Sequence, residues 1–148
     1  MNEMARFFEY AMAFEETLAK DDWTLIEPYF TEDVVYEIFG GPPFAGKHEG
    51  RSAVVGFLRA SVNGFDRLFA ERVVEMRGEP SLRDGAVYVP WRGIYRADGL
   101  PDLAMDGVEL AWFEGDRIRR LEDHYTGEEI RKVTGHMERS EGRLKGAG

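Results

Sequence analysis

LAKDDWTLIEPYFTEDVVYEI, residues Leu18 to Ile38, changes its periodicity twice within one short run. Upstream of it, Met4, Phe7, Phe8, Ala11, Phe14 and Leu18 follow the i, i+3, i+4, i+7 stripe of an amphipathic helix, so the chain enters the stretch as a helix. Asp21 or Asp22 then offers a carboxylate to the free amides of a following turn. Asp22 to Phe30 therefore reads as a second short helix despite Pro28, with Trp23, Ile26 and Phe30 turned inward. Val34 to Phe39 is β-branched and aromatic, the texture of a strand. It ends at Gly40-Gly41-Pro42-Pro43, where two residues without amide donors stop any sheet and a loop of about ten residues begins.

Beyond the loop, Val54, Phe57, Leu58 and Val62 recur at helical spacing, which predicts a third helix over Arg51 to Phe65 with Asn63-Gly64 as a left-handed stop. After Asp66 the chain turns to long alternating segments, Arg67 to Arg77, Ala86 to Arg96, Leu103 to Glu114 and Arg117 to Thr126. They are separated by the turn-forming groups Gly78-Glu79-Pro80, Ala97-Asp98-Gly99 and Glu114-Gly115-Asp116. The expected order is ααβαββββ. Pro90 lies within one of these strands and can donate no ladder bond, so it marks an edge, a bulge or a bend. Residues 127–148 are polar, with Ile130, Val133 and Met137 at helical spacing, and predict a short frayed helix and a loose end. Residues 1–126 are expected to form one domain, with 127–148 as its tail.

The 148 residues include 28 acidic and 19 basic side chains, a formal charge of −9, 43% hydrophobic residues and no cysteine. A domain of this length buries roughly 68–70% of the surface its unfolded chain exposes, and ten Phe, six Tyr and three Trp are ample for a core. Without cysteine there is no disulfide framework, cysteine-ligated zinc or thiol nucleophile, and a cytoplasmic home fits best. The charge disfavours nucleic acid, since no basic cluster runs longer than Arg119-Arg120. No apolar run reaches 18 residues and the N-terminus lacks a basic start and an unbroken apolar stretch, so neither membrane insertion nor secretion is expected.

A helix pair, a strand, a helix and then a curved antiparallel sheet resembles the cone-shaped fold of the nuclear transport factor 2-like superfamily. The likeness is carried by the opening stretch from Leu18 to Ile38, by Gly50-Arg51-Ser52-Ala53-Val54-Val55-Gly56-Phe57-Leu58 as the family's third helix, and by Phe113-Glu114-Gly115-Asp116-Arg117-Ile118 as its last hairpin. It covers most of residues 4–126. The nearest branch is the SnoaL-like one, beside the ketosteroid isomerases. The resemblance implies an α+β fold, three N-terminal helices packed on a strongly curved antiparallel sheet. It leaves function open among isomerases, polyketide cyclases, epoxide hydrolases, dehydratases and non-enzymatic dimers. A sheet curled around a helix leaves a concave face too large for its own side chains to fill, and an apolar pocket with a few orienting polar groups is the expected result.

Three carboxylates stand where the pattern asks for an apolar residue. Glu15 lies among Phe8, Ala11 and Leu18 on the first helix, at or beside the place where the resemblance to ketosteroid isomerases implies a pocket tyrosine. It either reaches solvent at the edge of the stripe or acts there as a protonated acid. Glu109, in Gly107-Val108-Glu109-Leu110-Ala111-Trp112-Phe113, falls near the isomerases' oxyanion-binding aspartic acid by the same resemblance; the alternative is a glutamate on the open face of the sheet. Asp123 shares a strand face with Leu121 and Tyr125 by the two-residue period, and SnoaL-type cyclases place their acid/base aspartate similarly late, so Asp123 is the best candidate base.

Register decides whether two of these acids meet. An odd-length loop around Gly115-Asp116 puts Glu109 on the face of Leu121 and Asp123, whereas a two-residue turn sets it with Glu122 and His124. The odd loop is expected, and the two close carboxylates would then raise one another's proton affinity.

The isomerases' own base aligns near Ile38, a hydrocarbon that takes no proton. Glu37 points to the opposite face unless a bulge intervenes, so steroid-type isomerisation is not supported. Tyr36, on the face of Ile38, binds a ligand oxygen or is a core tyrosine with a satisfied hydroxyl. Phe44 is a candidate lid on the rim loop; Trp91, Leu121 and Tyr125 complete the expected ligand wall. The Gly41 to His48 stretch has the spacing of a phosphate-binding loop, but its prolines remove the amides that phosphates need and His48 replaces the hydroxyl that holds magnesium. His48, His124 and His136 lack metal-ligand spacing, and no nucleophilic serine elbow occurs, so neither metal nor cofactor is expected. Aromatic residues on the convex back of a curved sheet would be exposed unless a second chain covers them, which predicts a homodimer through the sheet. The expected partner besides a second copy is a small apolar molecule with oxygen functions. The chemistry is cofactor-free acid/base catalysis (cyclisation, isomerisation, dehydration or epoxide opening), or else binding or assembly without chemistry.

Overall fold

The computed structural model describes residues 2–139. The N-terminal stripe forms α1 (Glu3–Lys20), opened by the Asn2 side chain, which accepts from the Ala5 amide at 3.2 Å, and closed by Asp21 in the left-handed region at φ 53°. Its buried face carries Phe7, Tyr10 and Thr17, with Phe14 packed against the same core. The sequence stripe instead counted Phe8 and Ala11 and passed over Tyr10. The predicted second helix is two successive 3-10 turns, Trp23–Leu25 and Glu27–Tyr29. Asp22 accepts from the Thr24 amide at 3.2 Å, while Pro28 leaves no amide for a longer helical ladder. Trp23, Ile26 and Phe30 are buried as the spacing predicts.

The sheet runs through β1 (Phe30–Phe39), β2 (Gly46–Glu49), β3 (Glu71–Met76), β4 (Ser81–Arg83), β5 (Ala86–Arg96), β6 (Leu103–Glu114) and β7 (Arg117–His124). The order is β2-β1-β7-β6-β5-β3, with β4 also on β5. All pairs are antiparallel except β1 and β7, which run parallel at the centre. The result is α+β, helices against a curved, unclosed sheet. The strands β2 and β4 went unpredicted because each is shorter than the alternation needed to reveal it. β2 occupies part of the expected rim loop and brings His48 opposite Tyr36.

Pro90 sits where β5 changes partner. β3 pairs with Trp91 to Arg96 and β4 with Ala86 to Tyr88, so no partner on that edge asks Pro90 for a donor. Its carbonyl accepts from the Arg77 amide at 3.0 Å.

The third predicted helix is α2 (Arg51–Gly64), with Val54, Val55, Leu58 and Val62 buried. It runs through Gly64 and stops at Phe65, φ −133°, so Asn63-Gly64 is not a left-handed stop. The last described element, α3 (Gly127–Arg139), buries Ile130, Val133 and His136. Val133 joins Phe69, Tyr95, Leu103 and Met105 in a second hydrophobic cluster, with Met137 against it. Residues 127–139 are thus part of the packed domain rather than a frayed tail; the loose end expected over residues 140–148 lies outside the described residues.

The main core lies between α1, α2 and the concave face of the sheet, where Ile26, Phe30, Val34, Val54 and Ile118 are fully enclosed. Each such side chain contributes on the order of 1.5–3 kcal/mol relative to its exposed state. On the convex face Arg120 bridges Glu37 at 2.8 Å and Glu122 at 2.6 Å, and the His124 ring stacks on Phe39 at 4.5 Å.

Candidate functional site

Asp123 lies near the C-terminal end of β7, between Ile38 on the parallel neighbour β1 and Glu109 on the antiparallel neighbour β6. Facing residues share a sheet face, so Asp123 and Glu109 both project into the concave interior. The turn between β6 and β7 is not the odd loop expected: Glu114 pairs with Arg117 across the two residues Gly115-Asp116. The shift comes instead within β7, where Phe113 pairs with Ile118 but Trp112 with Arg120. Arg119 is the unpaired extra residue of a bulge, and that one-residue slip carries Asp123 onto the face of Glu109.

Asp123 is 5% exposed. The Tyr36 hydroxyl donates to its Oδ2. Burial pushes the Asp123 carboxyl up, opposed by hydrogen bonding with Glu109 and Tyr36, by the nearby Trp91 indole and by His124. Burial also pushes Glu109 well above the usual carboxylate range, and the neighbouring Asp123 charge and their mutual hydrogen bond push it further. Asp123 has the more donors, so the shared proton belongs on Glu109 and the negative charge on Asp123. Glu109 keeps part of its surface accessible although protein surrounds its carboxyl. The phenols of Tyr36, Tyr10 and Tyr125 are all raised, by burial first and then by the negative charge of the dyad. They stay protonated as donors at neutral pH.

Aromatic rings close over this pair. Trp91 and Tyr125 meet edge to face at 5.8 Å and Phe44 lies 6.4 Å from Tyr125. Tyr36 is 5.8 Å from Phe57, on which His48 stacks at 3.8 Å. Gly107 makes room for them: a Cβ there would stand 2.8 Å from the Trp91 ring and 2.9 Å from that of Tyr125. Phe44 and Tyr125 pack against both hydrophobic clusters and so join the surroundings of the dyad to the α3 side of the domain. Two open hollows lie on the outer surface, one beside Arg6 and Asp116 and one beside Trp23 and Arg59. Neither is lined by Asp123 or Glu109.

The structure therefore gathers Asp123, Glu109, Tyr36, Trp91, Tyr125 and Phe44 in one region. Leu121, expected in the ligand wall, is 1% exposed and belongs to the main core. Glu15 is a correction: its carboxylate is more than half exposed and pairs with Arg72 at 2.7 Å. The helix phase explains this, since Tyr10, Phe14 and Thr17 take the inward face and position 15 turns toward the rim of the sheet. The α1 side chain that feels the dyad is Tyr10, a residue the stripe reading omitted although its spacing to Phe7, Phe14 and Thr17 is helical. Gly107 was also passed over; a glycine within an otherwise regular strand is the signal of such a close approach.

Residues 11–121 match the sequence profile of the SnoaL-like domain. No curated protein matches the chain at a significant level. Among solved structures the chain is similar to a nuclear transport factor 2-like protein of unknown function from Burkholderia pseudomallei, at 18% identity over 90% of this chain and 98% of that one, TM-score 0.65. It is similar to an LEH-like epoxide hydrolase from M. tuberculosis, at 14% identity over 93% and 96%, TM-score 0.63. A third is a hypothetical protein with a ketosteroid isomerase-like fold from Catenulispora acidiphila, in complex with trimethylamine, at 16% identity over 86% and 92%, TM-score 0.61. These identities establish the shared fold, while the profile spans most of the chain. On that match the chain belongs to the SnoaL-like domain family.

Proposed function

We propose that the protein binds a small, largely apolar molecule with oxygen functions and carries out cofactor-free acid/base chemistry on it, with Asp123 as base and Glu109 as acid. The observation that carries this reading is the enclosed Glu109–Asp123 pair, with the Tyr36 hydroxyl on one oxygen of Asp123. Two carboxyls of unequal proton affinity in a largely buried site are suited to taking a proton at one position and returning it at another. Such proton transfer contributes about 10²–10⁴-fold to a rate. Cyclisation, isomerisation, dehydration and epoxide opening all fit that requirement, and the epoxide hydrolase-like neighbour lies within the same fold. Glu15 has no part in it.

The deciding experiment is mass spectrometry of what co-purifies with the protein, followed by turnover of that compound. Asp123→Asn is expected to lose at least about 10²-fold in kcat; full turnover by this variant would remove Asp123 from the role of base. A second reading, binding without chemistry, draws support from the rings packed over the dyad. It predicts saturable binding of the same compound with no product.

The convex face favours a second copy of the chain. Leu110 and Trp112 point outward there and are only partly covered within one protomer. Sedimentation at micromolar concentration should give a dimer, and a monomer would count against this assembly.

A further inference from the structure

The strand order leaves the outer edge of β3 without a neighbour, and among the described residues no other element takes its backbone groups. The Arg77 amide donates to the Pro90 carbonyl at 3.0 Å, which fixes the alternation along the ladder. Glu71, Val73 and Glu75 turn their N–H and C=O toward β5, so Arg72, Val74 and Met76 turn theirs outward. The side chains of Arg72, Val74 and Met76 share the concave side. Arg72 reaches back to Glu15 and Asp66, while Val74 is left 45% exposed and Met76 52%.

An unpaired edge is a template for another strand, and proteins blunt such edges with short strands, lysine, proline or bulges. At the opposite end of the sheet β2 is blunted, for it has four residues and Gly46 and Lys47 are among them. β3 has six, Glu-Arg-Val-Val-Glu-Met, with neither lysine nor proline. Its charges have both signs, ordered so that the strand complements a copy of itself. In an antiparallel pair centred on Val74, that residue meets its own counterpart and Arg72 meets Met76; on the other face Glu71 meets Arg77 and Val73 meets Glu75. Centring on Arg72 or on Glu75 sets like charges on the axis, and centring on Val73 opposes Glu71 to Glu75. Centring on Met76 runs the ladder into Gly78 and Pro80, where a donor is lost. Val74 is the centre at which every outward N–H and C=O of the strand finds a partner and no like charges are opposed. The charges select this register by sign rather than by new bridges, since Glu71 pairs with Arg96 at 3.2 Å and Arg77 holds the Trp91 and Gly107 carbonyls.

We propose that the outer edge of β3 is a self-association surface, on which two copies of the chain pair their β3 strands antiparallel about a two-fold axis at Val74 and continue one sheet into the other. This contact is separate from the convex face, because strands joined edge to edge leave both convex faces open. With both contacts present the assembly is a dimer of dimers. The apolar part of the edge contact is small, chiefly Val74 and Met76 of each copy, so it forms above micromolar concentration. It is independent of the chemistry at Asp123.

The sequence has no cysteine, so a single-cysteine variant carries one thiol. In Val74→Cys the two thiols meet on the axis, where the Cα atoms of a hydrogen-bonded antiparallel pair are about 5.5 Å apart and within disulfide reach. Met76→Cys places its thiol at a more exposed position, yet its two copies stand about 13 Å apart along the ladder and cannot close. With oxidised glutathione at millimolar protein, Val74→Cys is expected to give covalent dimer at least about tenfold faster than Met76→Cys. Val74→Lys alters an exposed side chain and sets two ammonium groups against each other on the axis. In sedimentation equilibrium from micromolar to millimolar concentration, the parent is expected to reach twice the mass that Val74→Lys retains, with the same far-ultraviolet circular dichroism. The comparison is a ratio, so it reads the edge contact whether or not the convex face also pairs. Equal masses for parent and Val74→Lys overturn the proposal, and that is the outcome if the edge takes an extended segment of a different protein. Equal cross-linking of the two cysteine variants overturns it as well, because contact without register is not pairing about Val74.

Discussion

Glu109 and Asp123 face each other across β6 and β7 because Arg119 is one residue too many for the ladder between them. Deleting Arg119 should take out the bulge and leave a regular ladder in which Arg120 follows Ile118 and still faces Trp112, so Asp123 stays opposite Glu109. Glu122 and His124 keep to the convex face, so the expected change in stability is about 1 kcal/mol, well below the more than about 3 kcal/mol that burying them would cost. Arg119→Ala, which keeps the residue count at an exposed site, should change stability by no more than about 0.5 kcal/mol. Urea denaturation of both variants tests this; a loss of more than about 3 kcal/mol on deletion alone would show that removing the bulge residue shifts the pairing beyond it.

A raised folded-state affinity for the proton makes the native state bind more protons than the unfolded chain. Stability from Glu109 is therefore greatest at low pH and declines as pH rises from the unfolded glutamate value, about 4.3, toward the folded value well above it. Within that window the decline is about 1.4 kcal/mol per pH unit for one proton. Glu109→Gln keeps a neutral group in place and should gain on the parent by that slope as pH rises above the unfolded glutamate value. Unfolding free energies at several pH values check it, and two parallel curves would falsify the protonated Glu109.

Tyr36→Phe keeps the ring against Phe57 and removes the donor to Asp123. An unpaired buried carboxylate oxygen costs about 1–3 kcal/mol. The loss of the donor should also raise the Asp123 pKa further, so the acidic limb of any rate profile moves to higher pH. Carbon-13 titration of the aspartate carboxyls reads the shift directly. An Asp123 titration identical to that of the parent would count against the bond.

Glu15→Gln should leave turnover of the substrate unchanged. Its carboxylate is mostly solvated and its partner Arg72 keeps Asp66 at 2.6 Å, so the expected change in stability is about 0.2–1 kcal/mol. A fall in kcat of tenfold or more would return Glu15 to the site.

Much of the site was legible because strand alternation has a short, exact period. Tyr36 with Ile38, and Asp123 with Leu121, sit on the faces their numbers predict. The long strands β5 and β6 have the predicted bounds, since each carries enough residues to display its alternation. What stayed hidden depends on tertiary pairing. Nothing local in Arg117-Ile118-Arg119-Arg120 says which arginine will be skipped, and the right face for Asp123 was reached from the wrong turn. Helix phase is harder still, because Phe8, Ala11 and Leu18 make a plausible stripe beside the one that is buried. Only packing against the sheet selects Tyr10 over Glu15. The burial of α3 follows the same logic: its apolar spacing was visible, but the cluster that receives Val133 comes from distant strands.

Gly107 offers the most direct test of the ring assembly over the dyad. An added Cβ in Gly107→Ala would lie 2.8 Å from the Trp91 ring and 2.9 Å from that of Tyr125, closer than carbon atoms approach without displacement. Both rings already touch packed neighbours, since Trp91 and Tyr125 also belong to the second cluster. Overpacking of this kind costs about 1–3 kcal/mol. The strand itself gives some of that back, because alanine is less flexible than glycine in the unfolded chain, by about 0.4–1 kcal/mol. A net loss of roughly 1–2 kcal/mol is therefore expected, together with a changed near-ultraviolet circular dichroism spectrum as Trp91 moves. Displacing Trp91 also withdraws its indole from Asp123. If Gly107→Ala is as stable as the parent and keeps its aromatic spectrum, the rings do not lie against β6 beside the dyad, and the packing of Trp91 and Tyr125 around Asp123 is wrong.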